Sequence, residues 1–189
     1  MTLVVVTPPA AEPVTVEDLR LFLRLSTTDE DTVLADLIAA ARKQVEQETR
    51  RVLITQGLRL YLDCWPMGRI VKLAAAPVAS VAAVTVYDSG GVPSVIDPAD
   101  WQLDAASAPA RLKVALTAGA PSQALNGIEV DFTAGYGANP EDVPAPFRQA
   151  IRLMAAHWFE HREAGTDLDL VNLPHGLDRL LSTQRVPML

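Results

Sequence analysis

One cysteine, Cys64, stands among the 189 residues, so no internal disulfide framework can form and the chain must hold its fold by packing. Such cysteine usage fits a reducing compartment. Basic side chains are also in short supply. Sixteen Lys and Arg face 23 Asp and Glu, giving a net charge of −7 and a pI near 4.9. That balance excludes a nucleic-acid binder that works by neutralising phosphates with a basic face. It does not exclude DNA as a neighbour, because an acidic wall repels a polyanion and keeps it from sticking. Long apolar runs are missing too. The opening Met1-Thr2-Leu3-Val4-Val5-Val6 is apolar, but it has no basic start and is soon interrupted by Pro8, Pro9 and Pro13, so neither a signal peptide nor a membrane span is expected. Internal repeats are absent, and no Ser or Thr is gathered with a histidine in a nucleophile phrase. Gly135 and Gly137 are followed by no lysine and no G-x-G-x-x-G context, so they turn the chain and do not cradle a phosphate.

What is present is apolar and patterned. With 49% hydrophobic residues the chain can bury one core with a small appended layer. Residues 1–13 are expected to be an N-terminal arm. Residues 14–56 then read as a helical hairpin. Thr15 and Asp18 form an approximate capping box, and Leu19, Phe22 and Leu23 supply a buried stripe. After a break at Ser26-Thr27-Thr28, the acidic Asp29, Glu30 and Asp31 favour the start of a second helix. Its stripe is Leu34, Leu37, Ile38, Ala41 and Val45, with Arg50 and Arg51 at its end.

Over residues 57–137 the period changes from helical to alternating. Leu58, Leu60 and Leu62 alternate with larger or polar neighbours, and β-rich runs follow at Ile70–Leu73, Val78–Tyr87, Trp101–Leu103, Arg111–Leu116 and Ile128–Phe132. Asp88-Ser89-Gly90-Gly91 marks a turn, and Pro77, Pro93, Pro98, Pro109 and Pro121 keep each strand short. The expectation is a small antiparallel β-layer, a meander or a partly closed barrel, inserted into a helical bundle. The class is therefore α+β.

The last β-run enters the corner Phe132-Thr133-Ala134-Gly135-Tyr136-Gly137, then a proline cluster, then a strongly amphipathic helix within 138–165. Pro144 and Pro146 suit its first turn, where a missing N–H costs nothing. Phe147, Ile151, Met154, Ala155 and Trp158 recur at helical intervals, and Gly165 ends it. Residues 166–189 hold a polar link, a short helix over Pro174–Thr183 with Leu177, Leu180 and Leu181 on its apolar face, and the tail Gln184-Arg185-Val186-Pro187-Met188-Leu189.

The FTAGYG corner and its following helix resemble the head-tail connector, or adaptor, family of long-tailed bacteriophages and gene transfer agents. The resemblance extends to phrases in the same order: Leu73-Ala74-Ala75-Ala76-Pro77-Val78-Ala79-Ser80-Val81, then Tyr87-Asp88-Ser89-Gly90-Gly91, then Trp101-Gln102-Leu103-Asp104. It implies a structural part, not an enzyme and without a cofactor, found at the head-tail interface of a particle assembled in the bacterial cytoplasm. It further implies a homo-oligomeric ring of twelve, the portal protein on one side and a stopper or other tail-proximal neck protein on the other. DNA would pass through the lumen without specific binding, past a negative or neutral wall. A C-terminal docking element for the portal is expected at Leu177, Leu180, Leu181, Arg185, Val186, Met188 and Leu189, where the domain's own core looks complete.

A second class of function competes on five residues. His157-Trp158-Phe159-Glu160-His161 matches H-x-x-E-H, in which two histidines one turn apart ligate zinc and a glutamate activates water, with Glu163, Asp167 or His175 as a third ligand. Against a zinc hydrolase, Trp158 belongs to the apolar stripe and little chain remains to build a cleft. Asp167 and Asp169 lack the further oxygen ligands that calcium requires.

Overall fold

Thr15 opens the helical part of the protein. In the computed structural model, which describes residues 1–161 and 176–186, its Oγ1 accepts the Asp18 N–H at 3.0 Å and α1 (Val16–Phe22) begins. This is the hydroxyl half of the expected capping box. Leu19 is fully buried, Leu23 packs at the edge of the core, and Phe22, expected in the stripe, is instead 42% exposed. α2 (Asp31–Thr49) buries Leu34, Ile38, Ala41 and Val45, one residue per turn on a single face, with Leu37 beside them. Arg50, with φ of 56°, ends it in the left-handed conformation. α3 (Ala145–Glu160) contributes Phe147, Ala150, Ile151, Met154 and Ala155, and α4 (Leu177–Ser182) contributes Leu177 and Leu181. These residues form one hydrophobic cluster with Val14, Leu53, Ile54 and Val143.

Inside this helical unit lies a buried cation. The Arg42 side chain donates from Nε to Glu12 at 2.7 Å and from Nη1 to Glu46 at 2.8 Å, while Glu46 also accepts the Leu53 N–H at 2.9 Å. Burial pushes the Glu46 carboxyl above its ordinary range, against the pull of the Leu53 amide and the Arg42 guanidinium. For Arg42 burial acts to lower the pKa, and the two carboxylates outweigh it. The cluster ties the chain before α1, the middle of α2 and the segment after α2 into one piece.

The second unit is β. Over the described residues it is built on Met1–Pro9, Thr55–Gly135 and Val186, the helical unit on Ala10–Ile54 and Tyr136–Arg185. Its strands are β1 (Thr2–Thr7), β2 (Gln56–Leu62), β3 (Ile70–Leu73), β4 (Val78–Tyr87), β5 (Pro93–Val95), β6 (Trp101–Asp104), β7 (Ala110–Val114) and β8 (Ile128–Ala134). They form two antiparallel sheets, ordered β1-β2-β8-β4-β5 and β3-β7-β6. The α+β class holds, but the β part is neither a single layer nor a meander. β2 pairs with β8, some seventy residues on, in the register Leu58↔Phe132, Leu60↔Val130 and Leu62↔Ile128. Those six side chains are all buried, which fixes the register, because a slip of one residue would turn each of them to the opposite face.

The Asp88 turn forms as expected. Its Oδ1 accepts the N–H groups of Gly90 and Val92 at 2.8 and 2.9 Å, and Gly91 takes φ of 78°, which a side chain would strain. It leads into β5, a strand that opens on Pro93 and is unforeseen from the sequence. β1 also lies where only an arm was expected. No helix among the described residues is long and apolar enough to cross a membrane.

Candidate assembly surfaces

The FTAGYG corner is a piece of scaffolding. Phe132 and Ala134 are buried, Ala134 between Gln56 and Val78, and Thr133 Oγ1 lies 2.8 Å from Ser80 Oγ. Gly135 has φ of 138° and donates its N–H to Pro77 at 2.9 Å. Tyr136 then enters the helical unit. Its N–H donates to Leu53 at 3.0 Å, its hydroxyl accepts from Arg51 Nη1 at 3.0 Å, and its ring sits 5.8 Å from that of Phe147. A Cβ on Gly137 would collide with the Asp142 carboxylate, which accepts the Asn139 N–H at 2.9 Å and so shapes the approach to α3. The motif thus converts a strand into a helix, with the Gly135 and Tyr136 N–H groups and the Tyr136 hydroxyl all hydrogen-bonded.

The residues expected to form a C-terminal docking element divide. Leu177 is 1% exposed and Leu181 fully buried, both inside the helical core, so that core is not complete without α4. This corrects the premise on which they were assigned to docking: leucines at helical spacing face inward here because α2 and α3 leave a place for them. Val186 is also buried, and Met188 and Leu189 lie outside the described residues. Leu180 is half-buried and Arg185 is exposed. Arg185 pairs with Glu48 at 2.7 Å, and Arg51 Nε donates to the Gln184 carbonyl at 2.7 Å, so the segment after α4 is tied to the end of α2. Beside them Pro146, Gly176, Arg179, Leu180, Thr183 and Gln184 line a shallow groove of about 300 Å³.

The histidine pair is organised locally. The rings of His157 and His161 lie 4.5 Å apart, and His161 has left helical geometry to cap α3, with Nδ1 3.0 Å from the His157 carbonyl oxygen. That contact turns one ring nitrogen of His161 onto its own helix. Glu163, Asp167, Asp169 and His175, the proposed metal partners, lie outside the described residues, among which no group of three or more metal-binding side chains gathers.

The outer face of the larger sheet is charged and paired. Arg59 on β2 meets Asp131 at 2.6 Å and Glu129 at 3.3 Å on β8, and its hydrogen bond to Asp131 raises its pKa. On the smaller sheet Asp104 accepts from the Ser107 hydroxyl at 2.7 Å and from Arg111 at 2.6 Å, which lower its pKa to about 2.

The interior of the described residues is given to packing, and the motif joins a strand to a helix. Residues 13–80 match the family model described as phage gp6-like head-tail connector protein. A chain from the neck of an empty gene transfer agent (GTA) particle, computed with C6 symmetry, is 34% identical, with 100% of this chain and 97% of that one covered and a TM-score of 0.84. A chain from the virion of a native GTA particle is 31% identical over the same shares, with a TM-score of 0.82. One from a native GTA neck computed with C12 symmetry is 32% identical, again over 100% and 97%, with a TM-score of 0.80. No curated protein sequence matches at a significant level. The chain belongs to the head-tail connector family, as a structural adaptor and not an enzyme.

Proposed function

We propose that twelve copies of this chain form a ring between the portal of a DNA-filled head and the next component of the neck or tail. The observation that carries this reading is similarity over the whole chain to subunits of GTA necks, one of them computed with C12 symmetry. The ring continues the DNA channel. A net charge of −7 suits a negative or neutral lumen through which DNA slides without being held. The portal is met by the exposed part of the C-terminal segment, Leu180 and Arg185 with the adjoining groove, and by Met188 and Leu189. Leu177 and Leu181 serve this contact from within by holding α4 in the helical core. Neither metal nor cofactor enters this role.

Removing the gene from the producing cell should leave heads that package DNA but carry no tails. Tailed particles of normal yield in its absence would overturn the proposal.

A further inference from the structure

Arginines that lie partly buried in this protein are met by oxygen. Arg20 meets Asp31 at 2.8 Å, Arg42 its two glutamates, Arg59 Asp131, Arg51 the Gln184 carbonyl, and Arg69 the carbonyls of Ala115 and Ala118 at 2.8 and 2.7 Å. Arg148 departs from this pattern. It stands near the start of α3, half-buried, with Nε shielded from solvent and no acceptor for it. Its guanidinium enters no ion pair among the described residues either. One turn further along the same face lies Arg152, a like charge whose own partner Asp18 is 3.7 Å away and 44% exposed. Hiding a charged donor from water without an acceptor is costly, and a second cation beside it adds repulsion. An anion that reached the two arginines would remove both costs.

We propose that Arg148 and Arg152 form a receptor for a carboxylate of a second copy of this chain, and that the carboxylate is Asp36. The proposal rests on the ring reading above. Charge favours this source. With 23 acidic residues against 16 basic ones, each copy brings carboxylates in surplus, whereas a phosphate of DNA is repelled by a net charge of −7. Asp36 is exposed on α2 and enters no ion pair among the described residues. Its neighbours on the helix, Thr32, Ala35, Ala39 and Ala40, are short, so a second surface can approach closely enough for this short side chain to reach a half-buried guanidinium. Glu17 and Glu160 are exposed as well, but Arg20 and Leu21 stand beside the first, and Phe159 and His161 beside the second. The contact joins α3 of one copy to α2 of the next, two different patches, and so can repeat around a ring without self-pairing.

A charge swap in the full-length chain, supplied to the producing cell, tests this directly. Arg148→Asp and Asp36→Arg should each remove tailed particles, and the two together should restore them, because the reversed charges meet again across the copies. Tailed particles from either single variant, or no recovery in the double variant, would overturn the proposal. Arg148→Met keeps the bulk without the charge. It should leave the melting temperature of the purified chain unchanged or higher, since the free chain loses no ion pair. A fall of more than about 4 °C would make Arg148 a structural residue of its own subunit and overturn the proposal. A photo-crosslinking amino acid at Gln149, beside Arg148, should join necks chain to chain, with the product mapped to α2 of a second copy. Crosslinks to a different protein, to another part of the chain, or to nothing would overturn the proposal and leave the ring reading standing. Unaltered particles that lack the chain altogether would overturn both.

Discussion

Replacing Arg42 with methionine keeps the bulk of the side chain and removes its charge. Arg42 is 8% exposed at the side chain, and its partners Glu46 and Glu12 are 15% and 32% exposed. The substitution leaves Glu46 buried without a cation. Breaking a buried pair in this way costs about 3–5 kcal/mol. Here Glu12 can turn to water and Glu46 keeps the Leu53 amide at 2.9 Å, so the lower end, about 3 kcal/mol, is expected. At about 2–4 °C for each kcal/mol in a protein of this size, the melting temperature should fall by about 6–12 °C. Adding Glu46→Gln should recover most of the loss, because the amide is neutral and can still accept from Leu53. The pH dependence follows from the sign of the shift. The folded pKa of Glu46 is already raised by burial, and it rises further once Arg42 is gone. Stability associated with such a group is full below its unfolded value, near 4.5, and is lost as pH rises through the folded value. The deficit of Arg42→Met should therefore be greatest at neutral pH and shrink toward pH 4.5. Urea unfolding followed by far-UV circular dichroism measures both. A deficit below about 1 kcal/mol at neutral pH, or one that does not change with acidification, would refute this account of the cluster.

Leu181→Ala should cost about 3 kcal/mol, because the side chain is fully buried, and removing residues 176–189 should lower the melting temperature and not yield an intact domain short of a tail. Unchanged unfolding in either variant would return α4 to the surface. Arg185→Glu, at an exposed pair with Glu48, should change stability by less than about 1 kcal/mol yet reduce attachment of heads to tails, which particle counts by electron microscopy would show. Asp104 should titrate near pH 2 by NMR, so the stability it provides is present above its ordinary value of 3.8 and is lost as pH falls toward 2. A titration midpoint near 3.8 would mean that the Ser107 and Arg111 contacts do not persist in solution.

Much of this fold is written in local periodicity. Leu34, Ile38, Ala41 and Val45 recur at helical spacing, and Leu58, Leu60 and Leu62 at strand spacing, and each set is buried as the pattern requires. What the pattern leaves out is non-local. β1 finds its partner β2 about fifty residues away, and its Leu-Val-Val-Val run shows no alternation, so nothing nearby in the chain marks it as a strand. β5 has three residues and a proline. The split into two sheets depends on β2 pairing with β8 while β3 pairs with β7, a choice that alternation does not encode. On the site side, Leu177 and Leu181 have the spacing that suits a core or a docking face equally well. Only the space left by α2 and α3 decides between them. The FTAGYG phrase was legible as a strand-to-helix corner, while its use of Leu53, Pro77 and Arg51 as partners required the folded chain.

As proposed above, this chain is the ring subunit of a head-tail junction. Cryo-electron microscopy of the neck of particles assembled from it tests that most directly. Twelve copies are expected beneath the portal, their C-terminal segments against it, with DNA-sized space through the centre. A neck in which this chain is absent, or forms no closed ring, or lines its lumen with Arg and Lys gripping phosphates, would contradict it.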